Sequence, residues 1–299
     1  IRDQPRSRGL GDVYKRQILD NMSDIEIKKI IEPTPASDGA GVKLKRSIGV
    51  EPNYFDPFLM LDEFGSENSE DYIAGFPPHP HRGIETVTYM LAGDFEHKDS
   101  TGGEGRMTAG DVQWMKTGSG IIHSEMPAMK EGKLHGFQLW INMPAKLKMS
   151  KPNYIYIDAE QMQSYKDEEK IVKVIAGKFE QAEGPVKKHN VEPIYFDVEL
   201  NKDKEFNFDL PSTHNSFIYL IEGEIKIGNQ QHQKVENSKL ILLEKGDKLK
   251  VYGSTDAKFL LIAGKPIGEQ IARGGPFVMN TKQEILQAVE DYHKGTFVK

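Results

Sequence analysis

Two short motifs within residues 75–125 constrain the fold of this chain more than any other feature. His79 and His81 are two residues apart, and so are His123 and Glu125. Residues two apart on an extended strand point to the same face, so each pair can direct both side chains at one point. The residues between the pairs are rich in β-branched and aromatic types and are cut by glycine-containing turns. This pattern predicts short antiparallel strands, and rolling such a sheet would bring the pairs together.

Three imidazoles and one carboxylate form a ligand set that suits a divalent transition metal. A single HxH pair is unremarkable in a chain with nine histidines. Two ligand pairs at strand spacing within one β segment are much harder to obtain by chance. Pro77, Pro78 and Pro80 remove backbone donors around the first pair, so we expect that strand at the rim of a sheet, where a substrate can reach a bound metal.

Beyond these motifs, the chain resembles the pirin family of the cupin superfamily over nearly all residues after about 30. The matching stretches are 58–64 (FLMLDEF), 76–85 (FPPHPHRGIE), 118–126 (GSGIIHSEM), 134–144 (LHGFQLWINMP) and 271–281 (IARGGPFVMNT). The resemblance implies that His79, His81, His123 and Glu125 bind the metal. A generic cupin would use Glu85 as a ligand instead, and the pirin pattern replaces it with Glu125.

The resemblance also implies an all-β fold of two tandem cupin barrels of the jelly-roll type with a C-terminal α-helix. We expect residues 22–150 to form the metal-binding domain and residues 151–299 to form a second cupin domain. Short strand patterns separated by turn residues recur through this second half. Its only trace of a motif is His214, which is followed by Asn215 and Ser216. We therefore predict that the second domain binds no metal.

One helix is well signalled near the C-terminus. Thr281 and Glu284 have the spacing of a capping box, Ile285 and Val289 continue an apolar stripe, and Gly295 provides a stop. An apolar stripe must be buried, so we expect this helix to dock across a lobe.

Residues 1–21 have neither an apolar core segment nor a helix or strand period. We interpret them as a non-native leader, with a disordered tail as the alternative, and Met22 as a reasonable native start.

Composition narrows the functional classes. The net charge of −6 argues against direct binding to nucleic acid. No apolar run approaches the roughly 18 residues of a membrane-spanning helix, so we expect no membrane segment. The absence of cysteine fits a reducing cytoplasm. We expect a cytoplasmic monomer.

The resemblance implies quercetin 2,3-dioxygenase activity, in which a metal-chelated flavonol takes up O2 and its central ring opens with loss of carbon monoxide. We expect one divalent metal, with iron first and Mn, Ni, Cu or Zn as alternatives. Glu125 would release the metal and accept the substrate's hydroxyl proton. A flat aromatic substrate would lie against apolar residues drawn from Phe76, Met90, Trp114 and Phe137, most of which we expect in the core.

The alternative is a metal-dependent regulatory protein that binds transcription factors or metabolic enzymes.

Overall fold

Short antiparallel strands make up most of the described residues, which also include an α-helix near the C-terminus. The computed structural model describes residues 24–49, 54–229 and 234–298, so the predicted leader 1–21 lies outside the described residues. The strands are β1 Ile27–Ile31, β2 Thr34–Asp38, β3 Val42–Ile48, β4 Phe58–Ser66, β5 Phe76–His81, β6 Ile84–Ala92, β7 Phe95–Asp99, β8 Glu104–Met107, β9 Val112–Lys116, β10 Ile121–Pro127, β11 Leu134–Asn142, β12 Asn153–Ile157, β13 Ser164–Lys166, β14 Lys170–Ala176, β15 Lys178–Phe179, β16 Ala182–Glu183, β17 Ile194–Leu200, β18 Glu205–Asp209, β19 Asn215–Glu222, β20 Glu224–Ile227, β21 Val235–Glu236, β22 Lys239–Leu243, β23 Lys248–Gly253, β24 Ala257–Gly264, β25 Ala272–Gly274 and β26 Phe277–Met279. The helix α1 spans Lys282–His293, and single 3-10 turns lie at Ser69–Asp71, Ala145–Leu147 and Ala159–Gln161. The predicted all-β class with a C-terminal helix is confirmed.

The first lobe is built from a large and a small sheet. The large sheet has the order β12-β9-β6-β11-β4-β3-β2, and the small sheet has the order β5-β10-β7-β8. Strand β5, which carries three prolines, lies at an edge of the small sheet. An edge strand needs fewer backbone donors, so the predicted rim position of His79 and His81 is confirmed.

The second lobe repeats this plan. Its large sheet has the order β1-β22-β19-β24-β17-β14-β13, and its small sheet has the order β18-β23-β20-β21. Aromatic side chains fill the space between these sheets, among them Phe179, Phe196, Phe206 and Phe259. No cluster of potential metal ligands was found in this lobe's described residues, but the prediction of a metal-free second domain stays a prediction.

Two strands cross the predicted boundary between residues 150 and 151. Strand β1 pairs with β22 of the second lobe, although it belongs to the first half of the chain. Strand β12 pairs with β9 of the first lobe, although it follows the boundary. Each lobe is therefore completed by a strand from the other half of the sequence, and the exact boundaries remain a prediction.

The two large sheets share one buried core between the lobes. Side chains of β4, β6, β9 and β11 meet those of β17, β19, β22 and β24 in a single hydrophobic cluster. Tyrosine hydroxyl groups donate to buried carboxylates across this interface. Tyr219 donates to Glu63 Oε2 at 2.7 Å, and Tyr89 donates to Asp197 Oδ2 at 2.5 Å. Contacts of this kind hold the lobes in one arrangement.

After the second lobe, the chain returns to the first. The hairpin β25–β26 and α1 pack with Phe297 and Ile122 of β10 in a separate apolar cluster. The predicted capping box of Thr281 and Glu284 is present. Buried Lys148 links the regions because its Nζ donates to Gly83 O and Val278 O, both at 2.8 Å. The predicted docking of the helix on a lobe is confirmed. No helix in the described ranges has the length and apolarity to cross a membrane.

Candidate metal centre

Strands β5 and β10 bring three histidine rings together at one end of the first lobe. His79 pairs directly with His123 across these antiparallel strands, and His81 follows two residues later on the same face. The ring centroids of His79 and His123 are 4.3 Å apart, and those of His81 and His123 are 5.1 Å apart. One nitrogen from each ring lies within 4.8 Å of the others. The spacing predicted from the sequence therefore places three imidazoles around one point.

Hydrogen bonds to Nδ1 fix two of these rings. His79 Nδ1 lies 2.8 Å from Pro77 O, and His81 Nδ1 lies 3.2 Å from Pro276 O. A carbonyl oxygen only accepts, so each Nδ1 carries the proton and each Nε2 keeps its lone pair. This arrangement orients histidine ligands in known metal sites.

The third ring, His123, lies against another histidine. His97 Nε2 donates to Asp99 Oδ2 at 2.9 Å, which leaves His97 Nδ1 as an acceptor. His123 Nδ1 lies 3.5 Å from that nitrogen, which also accepts from Gln113 Nε2 at 3.0 Å. His123 Nε2 is then a buried nitrogen with no hydrogen-bond partner. An orphaned imidazole nitrogen beside two free Nε2 lone pairs fits a divalent metal.

The surroundings keep these imidazoles neutral. Burial, reinforced by repulsion from His79, lowers the pKa of His81 to about 3. Burial and then repulsion from His81 and His79 hold the pKa of His123 well below its ordinary value. Metal binding requires the neutral form of the ring, so no proton has to leave these two groups at neutral pH.

Glu125 lies beside the imidazoles in a buried polar network. Its Oε1 accepts from Gln113 Nε2 at 3.3 Å and lies 2.9 Å from the Thr88 hydroxyl. Its Oε2 is 3.5 Å from Gln138 Nε2. Within 4.8 Å, Glu125 groups with His97 and His123 and not with the full set of three predicted imidazoles. Its role as a fourth ligand stays a prediction.

Sequence reasoning missed His97, which is fully buried behind His123. Its ring stacks on Tyr154 with centroids 4.4 Å apart, and Gln113 Nε2 donates to its Nδ1 at 3.0 Å. A lone histidine in a strand pattern gave no reason to choose it. The available signal was Asp99, two residues later, since this strand spacing places a carboxylate on the same face.

Glu85 lies on the other face of β6 and does not contact the cluster of His79, His81 and His123. Its Oε2 accepts from Trp114 Nε1 at 2.6 Å and from His189 Nε2 at 2.7 Å, in the region between the lobes. Thr88, at the opposite parity on the same strand, contacts Glu125. This position agrees with the expectation that Glu125, and not Glu85, is the carboxylate ligand.

A cavity of about 790 Å³ opens beside the cluster and has His79, His81 and Glu125 in its wall. Its apolar part is formed by Met60, Phe64, Phe76, Phe95 and Trp140. Of the residues considered for this role from the sequence, only Phe76 lines the cavity. Trp114 and Phe137 pack between the lobes, and Met90 lies in the core of the first lobe. The alternation along a strand shows which residues share a face, but it does not show which face the cavity occupies.

Two barrels of paired sheets, the first with a histidine cluster at its open end, define a bicupin. A model of the pirin family matches residues 41–141, and a model of the pirin C-terminal cupin domain matches residues 195–298. The chain belongs to the pirin family. These matches confirm the predicted pair of cupin domains.

Named relatives and a solved structure share nearly the whole chain. A pirin-like protein from Caulobacter vibrioides is 44% identical over 274 residues, which cover 91% of this chain and 98% of the relative. A Pseudomonas aeruginosa protein provisionally named quercetin 2,3-dioxygenase is 44% identical over 87% of this chain and 94% of its own length. The crystal structure of quercetin 2,3-dioxygenase from Acinetobacter baumannii superimposes with a TM-score of 0.84, at 29% identity over 92% of this chain and 99% of that one.

Proposed function

We propose that this protein is a metal-dependent dioxygenase that opens the central ring of flavonols such as quercetin with O2. The observation that carries the proposal is the orphaned Nε2 of His123 beside His79 and His81, since the latter two histidines line a largely apolar cavity. The quercetin dioxygenase names of two similar proteins supply the substrate class. Cavities of about 300–1,000 Å³ are typical of small-molecule sites.

In this proposal, His79, His81 and His123 hold one divalent ion through Nε2, with iron as our first choice and Mn, Ni, Cu or Zn as alternatives. The ion would supply Lewis-acid polarisation and a template for the substrate. The Nδ1 hydrogen bonds keep the rings oriented, which lowers the reorganisation needed on binding. Met60, Phe64 and Trp140 would exclude water from a flat aromatic substrate.

Glu125 would act as the catalytic base that accepts the hydroxyl proton of the flavonol. Its carboxylate lines the cavity and is positioned by Thr88, Gln113 and Gln138. A carboxylate held by neutral donors on both oxygens can receive a proton without losing its position. The monomeric state, the cytoplasmic location and the lack of nucleic-acid binding stay predictions.

The test is O2 uptake by purified protein loaded separately with each of the five metals. We expect quercetin-dependent O2 uptake and release of carbon monoxide with at least one metal, and neither with His81→Ala. His214→Ala, in the second lobe, is the matched control and should behave like the wild type. Metal-loaded protein that consumes no O2 with quercetin would overturn the proposal. It would favour the regulatory alternative, which a metal-dependent interaction with a defined partner would then have to support.

A further inference from the structure

An arginine from the distant C-terminal hairpin lies in the wall of the same cavity. Arg273 belongs to β25 and lines the cavity with Gly275 and Pro276. Its guanidinium donates to two backbone carbonyls, Leu59 O at 3.0 Å and Gly49 O at 3.4 Å. These bonds use two of the five N–H donors of the group. The other three N–H groups have no hydrogen-bond partner among the described residues.

Arg273 differs from the other arginines of the described ranges in having no acidic partner among the described residues. Arg46, the other arginine of the cavity, donates to both oxygens of Asp62 at 2.8 and 2.6 Å and to Asp38 at 3.1 Å. Arg82 has Asp291 at 2.7 Å, and Arg106 pairs with Asp94.

Burial lowers the pKa of Arg273, and no carboxylate of the described ranges forms an ion pair with it, although Asp38, Asp62 and Glu125 line the same cavity. A partly buried positive charge that no carboxylate of the described ranges neutralises is unfavourable unless an anion compensates it.

We propose that Arg273 binds an oxyanionic substituent of the substrate, so that the cavity prefers anionic flavonol derivatives to neutral ones. The inference rests on the proposed function for the flavonol scaffold. A guanidinium fork matches the two oxygens of a carboxylate or sulfate, and its carbonyl contacts hold it in place. The competing explanation is that Arg273 only clamps the carbonyls of Gly49 and Leu59. A clamp would give no preference for charge.

The experiment measures ligand binding without O2, so that turnover plays no part. The matched ligands are the 7-O-glucuronide and the 7-O-glucoside of quercetin, which differ in a carboxylate, with the 7-O-sulfate as a second oxyanion. We expect the wild type to bind both anionic ligands about tenfold tighter than the glucoside, as a charge-assisted hydrogen bond allows. Arg273→Gln should lower the affinity for the glucuronide and the sulfate to that for the glucoside, whereas Arg106→Gln, on the surface, should keep the preference.

Salt dependence provides a measurement that needs no variant. Added NaCl should weaken binding of the glucuronide and sulfate more than binding of the glucoside, because salt screens only the charged contact. Equal affinity of the wild type for glucuronide, sulfate and glucoside would overturn the proposal, and so would an unchanged preference in a folded Arg273→Gln variant. A clear preference without any O2 uptake would retain the role of Arg273 and remove the dioxygenase proposal. Uptake of O2 with no preference would do the reverse.

Discussion

Hydrogen bonds at single nitrogen atoms decide what the histidine cluster can do. Pro77 O and Pro276 O accept from His79 and His81, and the His97–Asp99 pair orients His123. The two carbonyl contacts place the proton of His79 and His81 on Nδ1 and leave Nε2 for a ligand. The site is thus prepared by neighbours that do not themselves face the cluster's centre.

Replacing Glu125 by Gln should separate metal binding from turnover. The variant keeps the shape and an oxygen donor, so the three imidazoles should retain the metal. It loses the charge and basicity needed to accept a proton, which typically lowers the rate by about 10²- to 10⁴-fold. Quercetin consumption and metal content measure the two effects, and Glu104→Gln, exposed on β8, is the control. Near-normal turnover in the metal-loaded Gln variant would show that Glu125 is not the base.

The buried histidines should also make the metal-free protein sensitive to acid. His81 has a pKa of about 3 in the folded state and about 6.5 in an unfolded chain. Between these values the unfolded state binds more protons, so the free energy of unfolding should fall as the pH falls from about 6.5 towards 3, by up to about 1.4 kcal/mol per pH unit. Urea unfolding of the metal-free protein at pH 7 and pH 5 measures the change. His81→Gln should flatten the dependence, and an identical slope in this variant would contradict the assignment.

The C-terminal hairpin and helix form an element that completes a site far away in sequence. The hairpin supplies Pro276 O to His81, and α1 holds it in place through Ile285 and Ala288. Arg82, next to His81, has its guanidinium carbon 4.4 Å from the Phe297 ring centroid. The position of α1 is therefore coupled to the orientation of a predicted metal ligand.

Displacing α1 should weaken metal binding from a distance. Ala288 is fully buried, so Ala288→Arg should push the helix away and loosen the hydrogen bond from His81 to Pro276. Loss of such supporting contacts typically lowers metal affinity about 10- to 100-fold. Competition with a chelator measures the affinity. Leu286→Arg changes a side chain that is 69% exposed on the same helix and should have no effect. Equal affinities for both variants would show that the helix does not support the site.

For these elements, the sequence predicted local conformation better than it predicted contacts between residues far apart in the chain. The capping box at Thr281, the prolines of β5 and the two ligand pairs depend on spacings of a few residues, which fix local conformation. The Pro276 contact with His81 joins residues 195 positions apart, and no local pattern encodes it. Lys148, in a lysine-rich linker, gave no sign that it would be buried, because its three acceptors come from separate parts of the chain.

Across the whole molecule, the two lobes behave as parts of one structure. They share a hydrophobic core, exchange β1 and β12, and form hydrogen bonds from tyrosine hydroxyls to buried carboxylates across the interface. The sequence predicted two similar domains because each half repeats strand and turn signals. It did not predict the exchange, since an edge strand such as β1 can pair with any open sheet edge.

Removing one hydroxyl at the interface should destabilise the whole molecule. Tyr219→Phe deprives buried Glu63 of a donor 2.7 Å away, although His135 still donates at 2.9 Å. Leaving a buried acceptor short of a partner costs about 1–3 kcal/mol. Urea unfolding should show this loss, and Tyr252→Phe, whose hydroxyl bonds to Asp203 at the surface, should be nearly neutral. A Tyr219→Phe variant as stable as the wild type would mean that the interface does not depend on this bond.

The metal content of the intact chain tests the central claim most directly. Elemental analysis of purified protein should find one transition-metal ion per chain in the wild type and in His214→Ala, and almost none in His81→Ala. This result follows if His79, His81 and His123 hold the ion in the first lobe and the second lobe holds none. Two tightly bound ions per chain, or an ion lost with His214 and kept without His81, would contradict the account.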